Sequence, residues 1–299
     1  MMAIPINPEL DPAHHILAPD GGIGSPFVFN SPHSGQTYPR AFLSASRLDT
    51  MTLRRSEDTF VDELFSGVVD LGAPLMHARF PRAFVDVNRE AYELDPTMFD
   101  GRLPSFANTR SMRVAGGLGT IARIVADGEE IYETPISVAE GLDRIERYYK
   151  PYHQDLRSLI DQASRKFGTA VIIDCHSMPS FRVTQESRRR PDFVLGDRYG
   201  TSCTSILTDV AQETLQRLGY TVARNKPYAG GFITETYGNP SDGLHALQIE
   251  INRSLYMDEM RYARAGGFAW LVADITHVCR RLMSISAEAL RPGRAAAAE

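Results

Sequence analysis

The sequence predicts an α/β protein with a mixed, mainly parallel sheet flanked by helices. Short apolar runs alternate along the chain with longer amphipathic stretches, which is the pattern of such a sheet. The run TAVIID is apolar until it reaches an aspartate, as expected of a buried parallel strand at its exit from the sheet. No internal repeat interrupts this alternation.

Seven apolar runs are predicted strands, at 26-30, 73-78, 83-88, 169-174, 192-196, 220-224 and 246-252. Helices are predicted at about 58-71, 137-167, 203-218 and 259-286. The longest helix begins with the capping-box spacing of Ser137 and Glu140 and ends at Gly168, while Pro151 should kink or divide it. The pair Asp127-Gly128, flanked by β-branched residues, predicts a hairpin over 120-133.

The length of 299 residues suits one domain with a large core. We expect a single catalytic domain over 1-299, with its core at about 25-290, a frayed N-terminus and a frayed C-terminal tail. The stretches 89-119 and 177-192 have few periodic apolar residues. Loops of this length often cover an active site, and surface disorder is the alternative.

The composition is that of a soluble protein, with 43% hydrophobic residues and 32 basic against 37 acidic residues. The net charge of -5 argues against nonspecific nucleic-acid binding. Neither a membrane-spanning run nor a signal peptide is recognisable, so we expect no membrane partner. Three cysteines without C-x-x-C spacing indicate neither disulfides nor a cysteine metal site, which favours the reducing cytoplasm. The oligomeric state is not predicted.

Candidate site residues follow two of the predicted strands. Asp174 and His176 are two residues apart at the end of one strand and share a face, which suits a metal ligand and its neighbour. His33 follows the first strand, in FVFNSPHSG. Strand ends of an open α/β sheet converge where ligands bind, so the two histidines form a possible metal site. Alone, each histidine would more often be structural.

A catalytic zinc site often combines two histidines with one carboxylate. Glu57 and Asp58, in RRSEDTFVDELF, are the nearest candidate acids. Acids at the start of a helix commonly cap it, which is the alternative role for both.

The segment RAFVDVNRE gathers three polar residues, Asp86, Asn88 and Arg89, at one strand exit. An arginine held by such neighbours can bind a carboxylate through two hydrogen bonds. A structural ion pair between Arg89 and Asp86 is the alternative.

The run ALQIEINRS places Leu247, Ile249 and Ile251 on one face and a polar set on the other. The polar set is Gln248, Glu250 and Asn252. Glu250 facing a metal would be positioned to take a proton from water and pass it to a leaving amine. An edge strand would explain the polar face equally well.

Six segments, in this order, resemble the N-formylglutamate amidohydrolase family: SPHSG, RSEDTFVDELF, PRAFVDVNRE, DCHSMPS, NKPYAGGF and ALQIEINRSLY. They span about residues 25 to 260 and are also similar to the wider zinc carboxypeptidase and aspartoacylase group. The resemblance implies a zinc-carboxypeptidase-like fold with zinc at the strand ends. One position differs, because the carboxypeptidase group has its acidic ligand three residues after the first histidine, where this chain has Gln36.

The resemblance implies a zinc-dependent amidohydrolase that converts N-formyl-L-glutamate to formate and L-glutamate, a step of histidine degradation. It implies that His33 and His176 bind zinc, with Glu57 or Asp58 as the third ligand. Glu250 is then the general base and acid. Asp86 and Asp174 support these residues without being ligands, while Asn88 and Arg89 receive a substrate carboxylate.

In the implied mechanism, zinc polarises the formyl carbonyl and lowers the pKa of water toward about 7. Arg82 is the expected electrostatic partner of the oxyanion. The partner is a small N-acyl dicarboxylate, which needs a second anion contact. Candidates for this contact are Arg82, Arg182 and the loop residues Asn225, Tyr228, Gly230 and Gly231. The glycine pair permits close backbone approach.

Two other functions remain open at this stage. One is a zinc deacylase or peptidase that acts on another N-acyl amino acid, and the other is a non-catalytic binding protein on the same fold. The donor set also suits iron, cobalt or manganese. The motif GLGTIA at 117-122 precedes a predicted hairpin, so a dinucleotide site is not indicated.

Overall fold

A computed structural model describes residues 8–125, 128–180 and 190–292. Its main feature is a seven-stranded sheet. The strands are β1 (His14–Leu17), β2 (Phe27–Ser31), β3 (Leu75–Ala78), β6 (Ala170–Met178), β7 (Phe193–Gly196), β8 (Val222–Arg224) and β9 (Leu244–Asn252). Short strand pairs join β4 (Phe99–Asp100) to β5 (Ile136–Ser137) and β10 (Met257–Asp258) to β11 (Ala263–Arg264).

The strand order of the large sheet is β1-β3-β2-β6-β9-β7-β8. Strand β6 is parallel to both β2 and β9, β8 is parallel to β7, and β7 runs antiparallel to β9. The predicted mixed, mainly parallel sheet is therefore confirmed. Strand β9 lies between two other strands, so the alternative that made it an edge strand is wrong.

The α-helices of the described chain are α1 (Arg40–Ala45), α2 (Thr50–Leu53), α3 (Val61–Leu64), α4 (Met112–Ala115), α5 (Val138–Arg144), α6 (Lys150–Phe167), α7 (Ser205–Arg217), α8 (Phe232–Tyr237) and α9 (Phe268–Met283). The Ser137 hydroxyl accepts a hydrogen bond from the Glu140 amide, as the capping pattern predicts. A π-helical turn, Ile145–Tyr149, separates α5 from α6 just before Pro151. Because proline has no N–H, it cannot continue the regular hydrogen-bond ladder.

The strand predicted at 83-88 is wrong, because this segment forms a turn. The Phe84 amide donates to the Pro81 carbonyl, and the Asn88 amide donates to the Asp86 carboxylate. Aspartate commonly competes with strand pairing through such local bonds. The polar residues therefore stand on a turn and not on a strand exit.

Two predicted helices are shorter than expected. The one at 58-71 is reduced to α3 and a 3-10 turn at Ser66–Val68, and Phe60 precedes α3 with a positive φ of 66°. The one at 259-286 begins only at Phe268, because the preceding residues form the β10–β11 pair. The predicted hairpin at 120-133 is present as an isolated antiparallel bridge between Ile124 and Glu130.

Some predictions lie outside the described residues. They concern Asp127, Arg182 and the ends of the chain before residue 8 and after residue 292. All three cysteines are described; they are buried, and none of them forms a disulfide bond. Among the described residues, no helix is both long and apolar enough to cross a bilayer.

The contact pattern divides the chain into two compact units. The first contains Pro32–Thr59, His77–Leu156 and the chain up to His15. Part of its core surrounds the buried guanidinium of Arg144, which lies 4.3 Å from the ring centre of Phe84 and 5.5 Å from that of Phe42. Such cation–π contacts contribute most where water is excluded.

The second unit contains Ile16–Ser31, Phe60–Met76 and the chain from Arg157 onward. Its apolar core covers one face of the sheet and includes Ile173, Cys175, Ile249 and Ile251. Helix α9 packs against α3 and α7, while α8 packs against β6 and β9. Because neighbouring residues of a strand point to opposite faces, the polar residues that alternate with this core lie on the other face.

Candidate active site

His33 lies two residues after the end of β2 and is 1% exposed. Its Nε2 atom is 2.7 Å from Oδ1 of Asp86, and its Nδ1 atom is 3.4 Å from Oδ2 of Asp58. The carbonyl of His33 accepts a hydrogen bond from the Asp58 amide. The backbone therefore fixes Asp58 beside His33, and Asp86 orients the ring from its other nitrogen.

Asp86 is the centre of a buried charge cluster. Its Oδ2 atom is 3.0 Å from Nε of Arg82 and 3.5 Å from an amino group of Arg89. Burial alone raises the pKa of Asp86, but Arg82, Arg89 and His33 outweigh burial and hold this pKa well below its usual range. Asp86 is therefore ionised at neutral pH, and it contacts His33. Its role in supporting a metal ligand stays a prediction.

Arg89 is held by three groups of its own unit. Its Nε donates to the Leu118 carbonyl, one amino group donates to the Asn88 carbonyl, and the other approaches Asp86. Burial lowers the pKa of Arg89 to about 10, against the opposing charge of Asp86. The guanidinium remains protonated at neutral pH. The ion pair to Asp86 that the sequence offered as an alternative is present.

The neighbouring acids Glu57 and Asp58 have different surroundings. The Glu57 carboxylate accepts hydrogen bonds from the Tyr38 hydroxyl at 2.7 Å, the Thr59 hydroxyl at 2.9 Å and Nε of Arg54 at 3.1 Å. Burial raises the pKa of Glu57, and these donors oppose the shift only in part. Glu57 ties together the segments on either side of Asp58, whereas Asp58 faces His33.

In the second unit, Asp174 and His176 share the polar face of β6, as predicted. Nε2 of His176 is 2.9 Å from Oδ2 of Asp174, whose Oδ1 accepts a hydrogen bond of 2.8 Å from Asn30. All three side chains are buried. Asp174 therefore orients the His176 ring in the same way as Asp86 orients His33.

Glu250 stands beside His176, because the two are register partners in the parallel pair β6–β9. Side chains of register partners in a parallel pair point to the same face. Glu250 is 7% exposed, and its Oε1 accepts a hydrogen bond of 2.9 Å from Gln248. This places an acid in the centre of the sheet, as expected.

The loop residues that are candidates for the second substrate contact lie in the second unit. The Asn225 side chain donates to Asp197 at 2.7 Å and accepts from the amides of Asp197 and Tyr199. These bonds engage both ends of the amide, and a substrate contact from Asn225 stays a prediction. Tyr228 is half-buried in this loop, and the Gly231 amide donates to Gln248 at 2.7 Å. Roles for Tyr228 and Gly230 in substrate binding also stay predictions.

His33 and Asp58 in the first unit and His176 in the second are buried side chains of the kinds that bind metal ions. Within the first unit, Nδ1 of His33 lies 3.4 Å from Oδ2 of Asp58. Two imidazoles and one carboxylate are a donor set that suits a divalent transition metal. Of the two neighbouring acids, Asp58 is the one whose carboxylate lies beside the His33 ring.

Two residues that bond to the candidate site residues had no predicted role. Asn30 ends the apolar run FVFN and binds Asp174, and Gln248 alternates with Glu250 on β9. Asn30 is a polar residue in an otherwise apolar run, and Gln248 belongs to the polar face of β9; these positions are the signals that identify them. Strand alternation places each on the face of the residue that it contacts.

The chain is similar to several known proteins. The family model described as N-formylglutamate amidohydrolase matches residues 25–257. N-formylglutamate deformylase of Pseudomonas putida is 28% identical over 238 residues, which are 78% of this chain and 82% of that protein. The crystal structure of N-formylglutamate amidohydrolase from Ralstonia eutropha JMP134 is 38% identical with a TM-score of 0.86, covering 93% of this chain and 98% of that one. A gene product of Agrobacterium tumefaciens, 19% identical with a TM-score of 0.65, covers 91% of this chain and 95% of its own and has a similar fold.

Proposed function

Because the chain belongs to the N-formylglutamate amidohydrolase family, we propose that it hydrolyses N-formyl-L-glutamate to formate and L-glutamate. Its family and its relatives indicate a hydrolase that acts on an amide. The family match over residues 25–257 is the observation that carries the proposal, and the buried side chains of His33, Asp58 and His176 are of the kinds that hold a catalytic metal ion. We propose that the chain works as a single catalytic domain over 1-299, in the cytoplasm.

Zinc is the proposed ion, held by His33, Asp58 and His176. Two features of the chain support this assignment. The donor set is one that catalytic zinc uses, and each histidine has its Nε2 on a buried aspartate, which leaves Nδ1 for the ion. When bound, zinc would polarise the formyl carbonyl and make water more acidic.

Glu250 is the proposed general base and acid. Its carboxylate takes a proton from the attacking water, whose oxygen bonds to the formyl carbon. The same carboxyl then gives the proton to the leaving nitrogen as the C–N bond breaks. Its place beside His176 in the sheet register supports this role.

Arg82 and Arg89 are the proposed anion-binding groups. Both guanidiniums share one carboxylate, Asp86, so the three side chains together carry a net positive charge. A surplus positive charge in a buried place attracts a substrate carboxylate or a developing oxyanion. Arg82 is the more accessible, with 29% of its side chain exposed against 11% for Arg89.

The test is formate release from N-formyl-L-glutamate by purified protein whose metal content is measured by mass spectrometry. We expect about one zinc per chain and activity that is lost on chelation and restored by zinc. Glu250→Gln should lower kcat by about 100-fold or more, because general acid–base catalysis contributes that much. Glu63→Gln, at an exposed ion pair with Arg264, is the matched control and should retain activity.

Three results would contradict this assignment. Acid release from N-acetyl-L-glutamate but not from the formyl compound would identify a different deacylase. Full activity without metal would exclude the zinc site. A stable protein that binds N-formyl-L-glutamate without hydrolysing it would identify a binding protein.

A further inference from the structure

Gln248 is a buried residue that the proposed reaction does not yet use. It is 4% exposed on β9, where it is the register partner of Asp174 while Glu250 is that of His176. Its neighbours in sequence, Leu247 and Ile249, belong to the apolar core on the other face. A primary amide in such a place is costly unless both of its ends are hydrogen-bonded.

Both ends of the Gln248 amide have partners within its own unit. The Gly231 amide donates to Oε1 of Gln248 at 2.7 Å, and Nε2 of Gln248 donates to Oε1 of Glu250 at 2.9 Å. A backbone N–H group can only donate a hydrogen bond, and an ionised carboxylate can only accept one. The flipped amide would lose both bonds, so the chemistry of its two partners fixes its orientation.

The Gly231 amide is itself held in a defined place. Gly231 is the residue before α8, which packs against β6 and β9. The preceding Gly230 has a φ of 119°, and a side chain there would meet Arg198 at 2.9 Å and Thr234 at 3.0 Å. Only glycine fits this conformation without strain. The loop backbone therefore holds the Gly231 amide in position to donate its hydrogen bond to Gln248.

We propose that Gln248 is the positioning residue of Glu250: anchored by the Gly231 amide, it donates to Oε1 and fixes the plane of the carboxylate for proton transfer. This inference rests on the proposed function, in which Glu250 moves the proton. A donor to a carboxylate favours its ionised form, which is the form a base requires. It also restricts rotation of a side chain that must meet water first and the leaving nitrogen later.

The first variant is Gln248→Met, which has a similar volume but no donor. We expect kcat to fall about 10-fold to 100-fold while KM stays within about twofold, because a misplaced base affects proton transfer more than substrate binding. Gln248→Glu is the second variant, since it keeps the acceptor for Gly231 and loses only the donor to Glu250. Its kcat should fall at least as far, because two carboxylates then face each other.

A double-mutant cycle separates positioning from general structural support. In a Glu250→Gln background, Gln248→Met should change kcat by less than about twofold, because there is no base left to orient. Gln162→Met is the matched control, at an exposed helical glutamine that bonds Ser158. Metal content and melting temperature are measured for every variant.

The outcomes distinguish this inference from the proposed function. If Glu250→Gln is inactive but Gln248→Met and Gln248→Glu keep the wild-type kcat, only the role of Gln248 is overturned. The same holds if Gln248→Met lowers kcat by the same factor with and without Glu250, as a merely structural residue would. Absence of formate release by the wild-type protein overturns the proposed function and the role of Gln248 with it.

Discussion

Nε2 of His33 lies 2.7 Å from Oδ1 of Asp86, and both side chains are buried. The same carboxylate binds Arg82 and Arg89, so one aspartate connects a candidate metal ligand to the proposed anion-binding arginines. Metal affinity and substrate affinity should therefore both respond to Asp86.

Replacing Asp86 with asparagine should weaken metal binding. Asparagine offers His33 a neutral acceptor in place of an ionised one and leaves Arg82 and Arg89 without their counter-charge. We expect zinc affinity to fall by about tenfold or more, which is typical when the partner of a metal-binding histidine is changed. Competition with a chromogenic chelator measures this affinity. Asp95→Asn is the control, because Asp95 is a buried aspartate paired to Arg123; equal losses in both variants would contradict the prediction.

Separate substitutions of Asp58 and Glu57 should show which of these two acids binds the metal ion. Asp58→Asn should abolish stoichiometric metal binding, because it removes the one carboxylate of the proposed ligand set His33, Asp58 and His176. Glu57→Gln should keep about one metal per chain but lower the free energy of unfolding by ~1–3 kcal/mol, since its amide cannot accept from all three donors. Elemental analysis and urea unfolding measure the two effects. The reverse pattern would make Glu57 the ligand.

The fold was largely predictable because its strands are apolar, short and separated by clear turn signals. Six of the seven predicted strands are present, and β6 and β9 even carry their polar residues on the expected face. The exception, 83-88, has the composition of a strand, but its backbone bonds to the Asp86 side chain and to the Thr120 carbonyl. Tertiary bonds of this kind leave no periodic pattern in a sequence.

Many residues of the candidate site could be predicted from the sequence, but most contacts between them could not. Resemblance and strand alternation identified His33, His176 and Glu250. The choice between Glu57 and Asp58 required coordinates, because both acids occupy the same short loop. The contact of Asp86 with His33 spans 53 positions in the chain, and local patterns do not encode such distances.

Acid should destabilise the protein partly through His77. Burial lowers the pKa of His77 to about 4, and nearby His15 adds to the shift. In the unfolded chain a histidine has a pKa of about 6.5. Between pH of about 4 and about 6.5, the unfolded state therefore binds a proton at His77 that the folded state does not bind. Stability is thus lost as pH falls from about 6.5 to about 4. His77→Gln should flatten the fall in melting temperature over this range, whereas His277→Gln, at an exposed position, should not; an unchanged slope in His77→Gln would contradict the prediction.

Removing the Arg144 guanidinium should destabilise the first unit. Arg144 is 2% exposed, donates to the Phe84 carbonyl and the Tyr132 hydroxyl, and pairs with Glu140. Arg144→Met should cost ~2–5 kcal/mol of unfolding free energy, because the buried Phe84 carbonyl and Tyr132 hydroxyl both lose their donor. Arg147→Met, at a more exposed pair with Asp143 one turn away, should cost ~1 kcal/mol or less. Urea unfolding at neutral pH compares the two variants. Similar losses would show that the cage of Phe42, Phe84 and Tyr132 holds the unit together without its cation.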